Sequence, residues 1–387
     1  MESITTLLTK LIRYKLCGQS DDLASKSITP DLLSNLLTLA AKHDVTALVC
    51  SALVDLNWIP KDQMQDFIYD TMCEAVCHYE NLNHEFHWLC DLLENAEIPF
   101  IPLKGAIIRD YYPEPWMRSS GDIDILIPDA YLDSAVSLLV KKGCKVDRNT
   151  RFHDIPLTTP GQILLELHFS IREKINEMDI VLDKVWQHAK IVPGKQFQHC
   201  LTNDFFLFHL LAHMAYHLIN GGCGIRSFAD IWLLQNKIEY DPESLHKLCS
   251  DAGISRFYEN VCMLNAVWFE EMIHNNTSKT LEQLVMKGGS FGTADNRILI
   301  NQAHTGSKSK HVLRRIFKPY RELKDQFPVL TEKPWLTPAF SILRWIRVFT
   351  KKRLNHVMQE FHTSHCHSRE QIIEAKELLY YLGLDYY

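Results

Sequence analysis

Gly121-Asp122-Ile123-Asp124-Ile125-Leu126-Ile127 is the stretch on which the fold turns. Acidic and aliphatic residues alternate through it, the period-two pattern of a β-strand with one special face. Asp122 and Asp124 share that face, while Ile123, Ile125 and Ile127 point the other way, into a core. Two adjacent carboxylates repel unless a cation lies between them. Hard oxygen ligands held close together suit Mg²⁺, which takes one or two carboxylates plus substrate phosphates. Taken alone, the triplet fits an exposed edge strand with solvated aspartates equally well.

Working outward, residues 98–103 are short, apolar and too Pro-rich for a helix, and fit a strand. Residues 105–112 predict a helix closed by Pro113. Residues 130–142 predict an amphipathic helix stopped by Gly143. Residues 144–146 and 163–169 predict further strands, and residues 151–161, with two prolines, a loop or hairpin. On both sides the pattern is helical. Upstream, apolar residues recur at helical spacing, with Thr29-Pro30 as a helix start. Downstream, helices are predicted over 204–220, 225–236, 243–252 and 371–382, and residues 278–309 are weakly patterned. The fold class is therefore α+β. A small mixed-sheet core at 97–172 lies between an N-terminal helical region, 1–96, and a helical domain, 173–300, followed by a basic helical tail, 301–387.

The chain has 387 residues, 46% hydrophobic and 23% charged, enough for a large core without disulfide staples. Its net charge of −6 argues against a general nucleic-acid coat. The 11 cysteines are scattered without a CxxC pair, which reads as buried thiols in a reducing compartment. The N-terminus lacks the features of a signal peptide, and no run reaches the length of a membrane span. A cytoplasmic protein without stable membrane insertion is expected.

Two further signals flank the acidic strand. In Ile163-Leu164-Leu165-Glu166-Leu167-His168-Phe169, a single Glu interrupts an apolar strand. Burying an unpaired charge is costly, and a metal held by two aspartates would offset that cost. An outward-facing Glu on an edge strand is the alternative. Leu103-Lys104-Gly105-Ala106 lies at a strand-to-helix junction, where backbone N–H groups bind phosphate well. Arg118-Ser119-Ser120-Gly121 leads into the acidic strand with a guanidinium and two hydroxyls.

Together these segments resemble the polymerase-β-like nucleotidyltransferase superfamily. They are most similar to an uncharacterised bacterial family patterned as LKG, then YP, then R-x-SGDIDLLV, then ELH. Lys104-Gly105, Tyr112-Pro113, Arg118 to Asp124 and Glu166-Leu167-His168 carry the likeness. It implies catalytic and metal-binding roles for Asp122, Asp124 and Glu166, with two Mg²⁺ ions or Mn²⁺ in their place. It also implies NTP contacts from Lys104, Gly105, Arg118, Ser119, Ser120, His168 and Arg226, with ATP the expected NTP. NMP would pass to an acceptor hydroxyl on a small molecule, protein or RNA, with release of pyrophosphate. Ala106 departs from the Gly-Ser turn of many members. The alternatives are a toxin-like transferase acting on tRNA and a non-catalytic NTP-binding or interaction module.

His209, His213 and His217 form one stripe of a predicted helix, which either binds metal or faces the α/β unit across a domain junction. Arg226 and Asp230 either pair on a helix surface or let Arg226 reach the nucleotide. His362, His365, Cys366 and His367 read as a surface loop. The basic, aromatic-rich tail reads as packed helices or an RNA or membrane contact.

Overall fold

In the computed structural model the described residues are 3–18, 23, 28–59, 63–147, 153–305, 320, 323, 327, 329–350 and 367–385. Calls on the basic tail between 306 and 319, and on His362, His365 and Cys366, lie outside them. The described part is α+β, as expected. Thr29 caps α2 (Pro30–Lys42) by accepting from the Leu32 N–H, with Pro30 in the first turn. The N-terminal helices α1 (Ile4–Cys17), α2 and α3 (Thr46–Asp55) precede the 33-residue α4 (Gln63–Asn95).

Five strands follow: β1 (Ile101–Pro102), β2 (Asp122–Leu126), β3 (Lys145–Val146), β4 (Asp154–Thr158) and β5 (Leu164–His168). Their order is β1-β2-β5-β4-β3, with β2 and β5 parallel and every other pair antiparallel. Both acid-bearing strands are thus flanked on each side, and neither is the edge strand that the sequence left open. The parallel register sets Asp124 opposite Glu166 and Leu126 opposite His168.

The sheet has two unlike faces. Ile123, Ile125, Ile127, Leu165 and Leu167 are fully buried on one, against Leu82, Phe86, Leu89 and Leu93 of α4 and Ala135 and Leu139 of α6 (Leu132–Lys141). Each such side chain contributes roughly 1.5–3 kcal/mol on burial. A one-residue register slip would turn these aliphatics out and the acids in, so the pattern specifies the register. The other face looks toward the larger helical core, which Leu126 joins. That core includes side chains from α1 to α3, α7 (Asn176–Leu182), α8 (Asn203–Ile219), α9 (Ile225–Lys237), α10 (Pro242–Asp251), α11 (Ser255–Phe269) and the helix Arg369–Leu382.

Of the two readings left for residues 151–161 the hairpin holds, since they carry β4, which pairs antiparallel with β5 inside the sheet. Several other expectations need correction. The predicted helix 105–112 is the four-residue α5 (Gly105–Ile108) followed by a 3₁₀ turn, Arg109–Tyr111. The strand at 98–103 shrinks to β1. The region after residue 171 is not purely helical, since β6 (Ala189–Ile191) and β7 (His199–Leu201) form a hairpin. The weakly patterned stretch from 278 contains α12 (Asn276–Gly288) and α13 (Ala294–Thr305). His367 is no surface residue: it is buried and hydrogen-bonded to Gln302 and Asp295 at 3.0 and 2.9 Å. No described helix is long and apolar enough to cross a membrane.

Candidate active site

The acidic face of β2 and β5 opens into a cavity of ≈ 810 Å³ between the sheet and the helical body. Asp124, Glu166 and His168 place one ligand atom each within 4.8 Å of one another. His168 Nε2 lies 2.8 Å from Asp124 Oδ1 and 3.7 Å from Glu166 Oε2. His168 and Asp124 are both buried, so this contact sits at low dielectric, where it fixes the carboxylate's orientation. Asp122 lines the same cavity two residues upstream.

The charges there are unbalanced. Asp122 is pushed up to about 6 by burial and by the repulsion of Asp124 and Glu166, against the pull of Lys104 and Arg226. Burial also opposes the charge on Asp124, but Lys104 and the His168 hydrogen bond outweigh it and hold that carboxyl well below its usual range. One carboxylate strained toward protonation beside another held ionised is the arrangement that a bound cation relieves. Asp124 and Glu166 offer the hard oxygen donors that a divalent ion takes, with His168 as the third member of the close group and Asp122 on the same cavity wall. His168 already has a role as the hydrogen-bond partner of Asp124.

Lys104 is set by an unusual backbone. It precedes α5 with φ of 42°, in the left-handed region that L side chains avoid. The Leu103 N–H donates to the Asp124 carbonyl, and the Lys104 carbonyl accepts from Ile107 and Ile108. Strained there, the side chain turns into the cavity, with Nζ 3.5 Å from Asp124 Oδ1. Burial works against its charge, but Asp124, Glu173, Asp122 and Glu166 together raise its pKa.

Gly105 lies directly beneath side chains of the approach to β2, which any larger residue would displace. A Cβ there would meet Ser120 Oγ at 2.5 Å and Arg118 Nη1 at 3.0 Å. Ala106, which follows it, is buried in the sheet core, and the Ser120 hydroxyl lies against the turn.

The other predicted residues hold the loop that leads into β2. Arg118 grips Asp230 of α9 with both arms, at 2.9 and 2.8 Å, and Tyr112 donates to the same carboxylate at 2.8 Å. Arg226 donates to the Ser119 carbonyl at 2.8 Å and pairs with Asp44 at 3.2 Å. Asp230 therefore answers Arg118, and the helix-surface pair with Arg226 is replaced by two links across the fold. Ser119 donates to the Asp44 carbonyl, and His78 of α4 contacts the Ser120 carbonyl at 2.7 Å. Asp44, Glu173 and His153 carried no local signal that would have singled them out, and Tyr112 was marked only as part of the Tyr112-Pro113 likeness.

The histidine stripe of α8 faces the α/β unit. His213 Nδ1 lies 2.6 Å from Glu173 Oε1, and His213 Nε2 lies 2.9 Å from His217 Nε2. His153 stacks on His168 with ring centroids 5.4 Å apart. Burial lowers the pKa of His209, His213 and His217, and Lys104 adds to the effect on each.

Buried neutral histidines have a consequence for acid stability. Burial pushes His209 down to about 3 and His43 down to about 4, with Lys104 and Lys42 respectively as the next causes. The His43 Nδ1 accepts from the Ile225 N–H at 3.2 Å, which only the unprotonated nitrogen can do. The unfolded chain binds these protons near the ordinary imidazole value and the folded chain does not. The contribution is therefore complete above that value and drains as pH falls toward 4 and 3. At about pH 5 each histidine is expected to cost about 2 kcal/mol. Urea midpoints at about pH 7.5 and 5 check this; equal midpoints would refute it.

The family described as "Uncharacterised nucleotidyltransferase" matches residues 31–270, more than half of the chain. No curated protein and no solved structure matches.

Proposed function

The chain belongs to the uncharacterised nucleotidyltransferase family, and from that premise we propose that it moves NMP from an NTP to an acceptor hydroxyl. The observation that carries this reading is the β2–β5 register, which sets Asp124 opposite Glu166 in a cavity shared with Asp122 and Lys104. Asp122, Asp124 and Glu166 are the residues that would hold two Mg²⁺ ions, or Mn²⁺. Such ions supply charge neutralisation on the phosphates and a lowered pKa for the acceptor hydroxyl.

The chain's own groups account for the rest. The acceptor oxygen attacks the α-phosphorus, the bond to the bridging oxygen of the β-phosphate breaks, and pyrophosphate leaves. Lys104 offsets the charge that grows on the departing group. His168 keeps Asp124 in one orientation through its 2.8 Å contact. Ser120, lying over Gly105, supplies the hydroxyl that the turn itself lacks. Arg118 and Arg226 act by position: they tie the approach to β2 onto α9 and Asp44. Glu166 takes the acceptor proton as the hydroxyl attacks.

Ala106 favours a second reading, a non-catalytic NTP-binding module. One assay separates the two. Pyrophosphate release is followed from each of the four NTPs with Mg²⁺, alongside protein mass to detect self-labelling. Metal-dependent release supports transfer; Mg²⁺-dependent NTP binding without release or labelling points to a missing acceptor or to the binding module, and selects the module once small-molecule, protein and RNA hydroxyl acceptors supplied in turn also give no release. An absence of NTP binding would sink both.

A further inference from the structure

The geometry points to Phe291 as the platform on which the base of the bound nucleotide stacks, a subsite that rests on the NTP reading above. Phe291 lies beyond residue 270, where the family match ends, in the connection between α12 and α13. It lines the same cavity as Lys104, Asp122 and Arg226. Its side chain is 84% exposed.

An exposed Phe on a loosely held loop would need no explanation. This loop is tightly held. The Ser290 N–H donates to the Lys42 carbonyl at the end of α2, at 3.0 Å, and Thr293 N–H donates to the Gly221 carbonyl at 3.3 Å. Gly289 and Gly292 adopt φ of 69° and 70°, which non-glycine residues reach only with strain. The loop crosses the α8–α9 turn backbone on backbone: a Cβ on Gly222 would lie 2.2 Å from Gly292 Cα. On Gly224 it would lie 2.4 Å from Ser290 Oγ. Glycines on both partners permit that approach, and the crossing leaves the backbone little freedom to carry the ring inward.

The result is an apolar ring on a firmly held backbone, at the edge of the cavity that holds the acids and left in water. Phe offers a π-face and no hydrogen-bonding group, so its complement is a flat ring and not a phosphate or a sugar. The phosphates of an NTP belong with Lys104 and the acids. Its base is then the planar part that reaches the mouth. Since every base has a π-face, Phe291 strengthens binding of all four NTPs without choosing among them.

Calorimetric titration of the full chain with each NTP and with inorganic tripolyphosphate, in MgCl₂, tests this. For Phe291→Ala the Kd of every NTP is expected to rise roughly 5- to 150-fold, while that of tripolyphosphate stays unchanged. Phe291→Tyr and Phe291→Trp are expected to restore it. An equal loss for tripolyphosphate would overturn the proposal, since the loop would then be serving the phosphates. Unchanged NTP binding with slower turnover would also overturn it, because the ring would then meet the acceptor. If the wild type binds tripolyphosphate but gains nothing from a base, only the stacking subsite falls. If it binds neither, the transfer reading fails first and the subsite with it.

Discussion

Asp124→Asn is expected to abolish nucleotidyl transfer while leaving the chain folded. Asp124 is 5% exposed, lies on a strand flanked on both sides, and meets both His168 and Lys104. Asparagine keeps the shape and removes the charge. Pyrophosphate release should fall by about a thousand-fold or more, roughly 4 kcal/mol of transition-state stabilisation. Folding survives for an electrostatic reason. Lys104 still faces Glu173, Asp122 and Glu166, so its ammonium is not left alone. Asp122 meanwhile loses a repulsive neighbour, and its pKa should move back toward the ordinary carboxylate value. Release rates are to be read together with the circular-dichroism melting curve. A rate within tenfold of wild type in a folded variant would mean that the acids serve the sheet and not the chemistry.

The largest effect on stability is expected far from the acids in sequence. Asp230→Ala should cost about 3–5 kcal/mol, because it strands the Arg118 guanidinium in a buried site. Both side chains are only 7% exposed, and the carboxylate also accepts from Tyr112. Removing both charges, as Arg118→Met with Asp230→Leu, should recover most of the loss, since the cost is that of an orphaned ion. Urea denaturation of the two variants supplies the numbers. A loss below about 1 kcal/mol for Asp230→Ala would mean that water already reaches the pair.

What the sequence disclosed, and what it hid, divides along a physical line. Alternation in residues 121–127 reports two faces of one strand, and that is a local property. Glu166 was visible for the same reason, as one charge in an apolar run. Pairing is not local. Nothing in the chain says that β2 and β5 lie parallel and adjacent, and that register is what puts Asp124 opposite Glu166. Pro156 disguised β4. Its carbonyl accepts from the Asp147 N–H at 2.9 Å but it has no N–H to return, and β3 stops at Val146. Asp230 sits four residues from Arg226, yet its partner is 112 residues away. The loop carrying Phe291 offers no periodicity, because its conformation comes from glycines packed against glycines of another segment.

That long-range ion pair also bears on the order in which the protein is made. Arg118 leaves the ribosome 112 residues before Asp230. At roughly 5–20 residues per second, the guanidinium waits about 6–22 s for its counter-ion. During that interval it must stay hydrated, so the segment between α5 and β2 cannot close. The acidic strand can already lie against α4 while its approach remains open. The acidic cavity is therefore completed late in synthesis, once α9 has emerged, and a nascent chain that ends before Asp230 would carry the acids without the ion pair that ties their approach to α9.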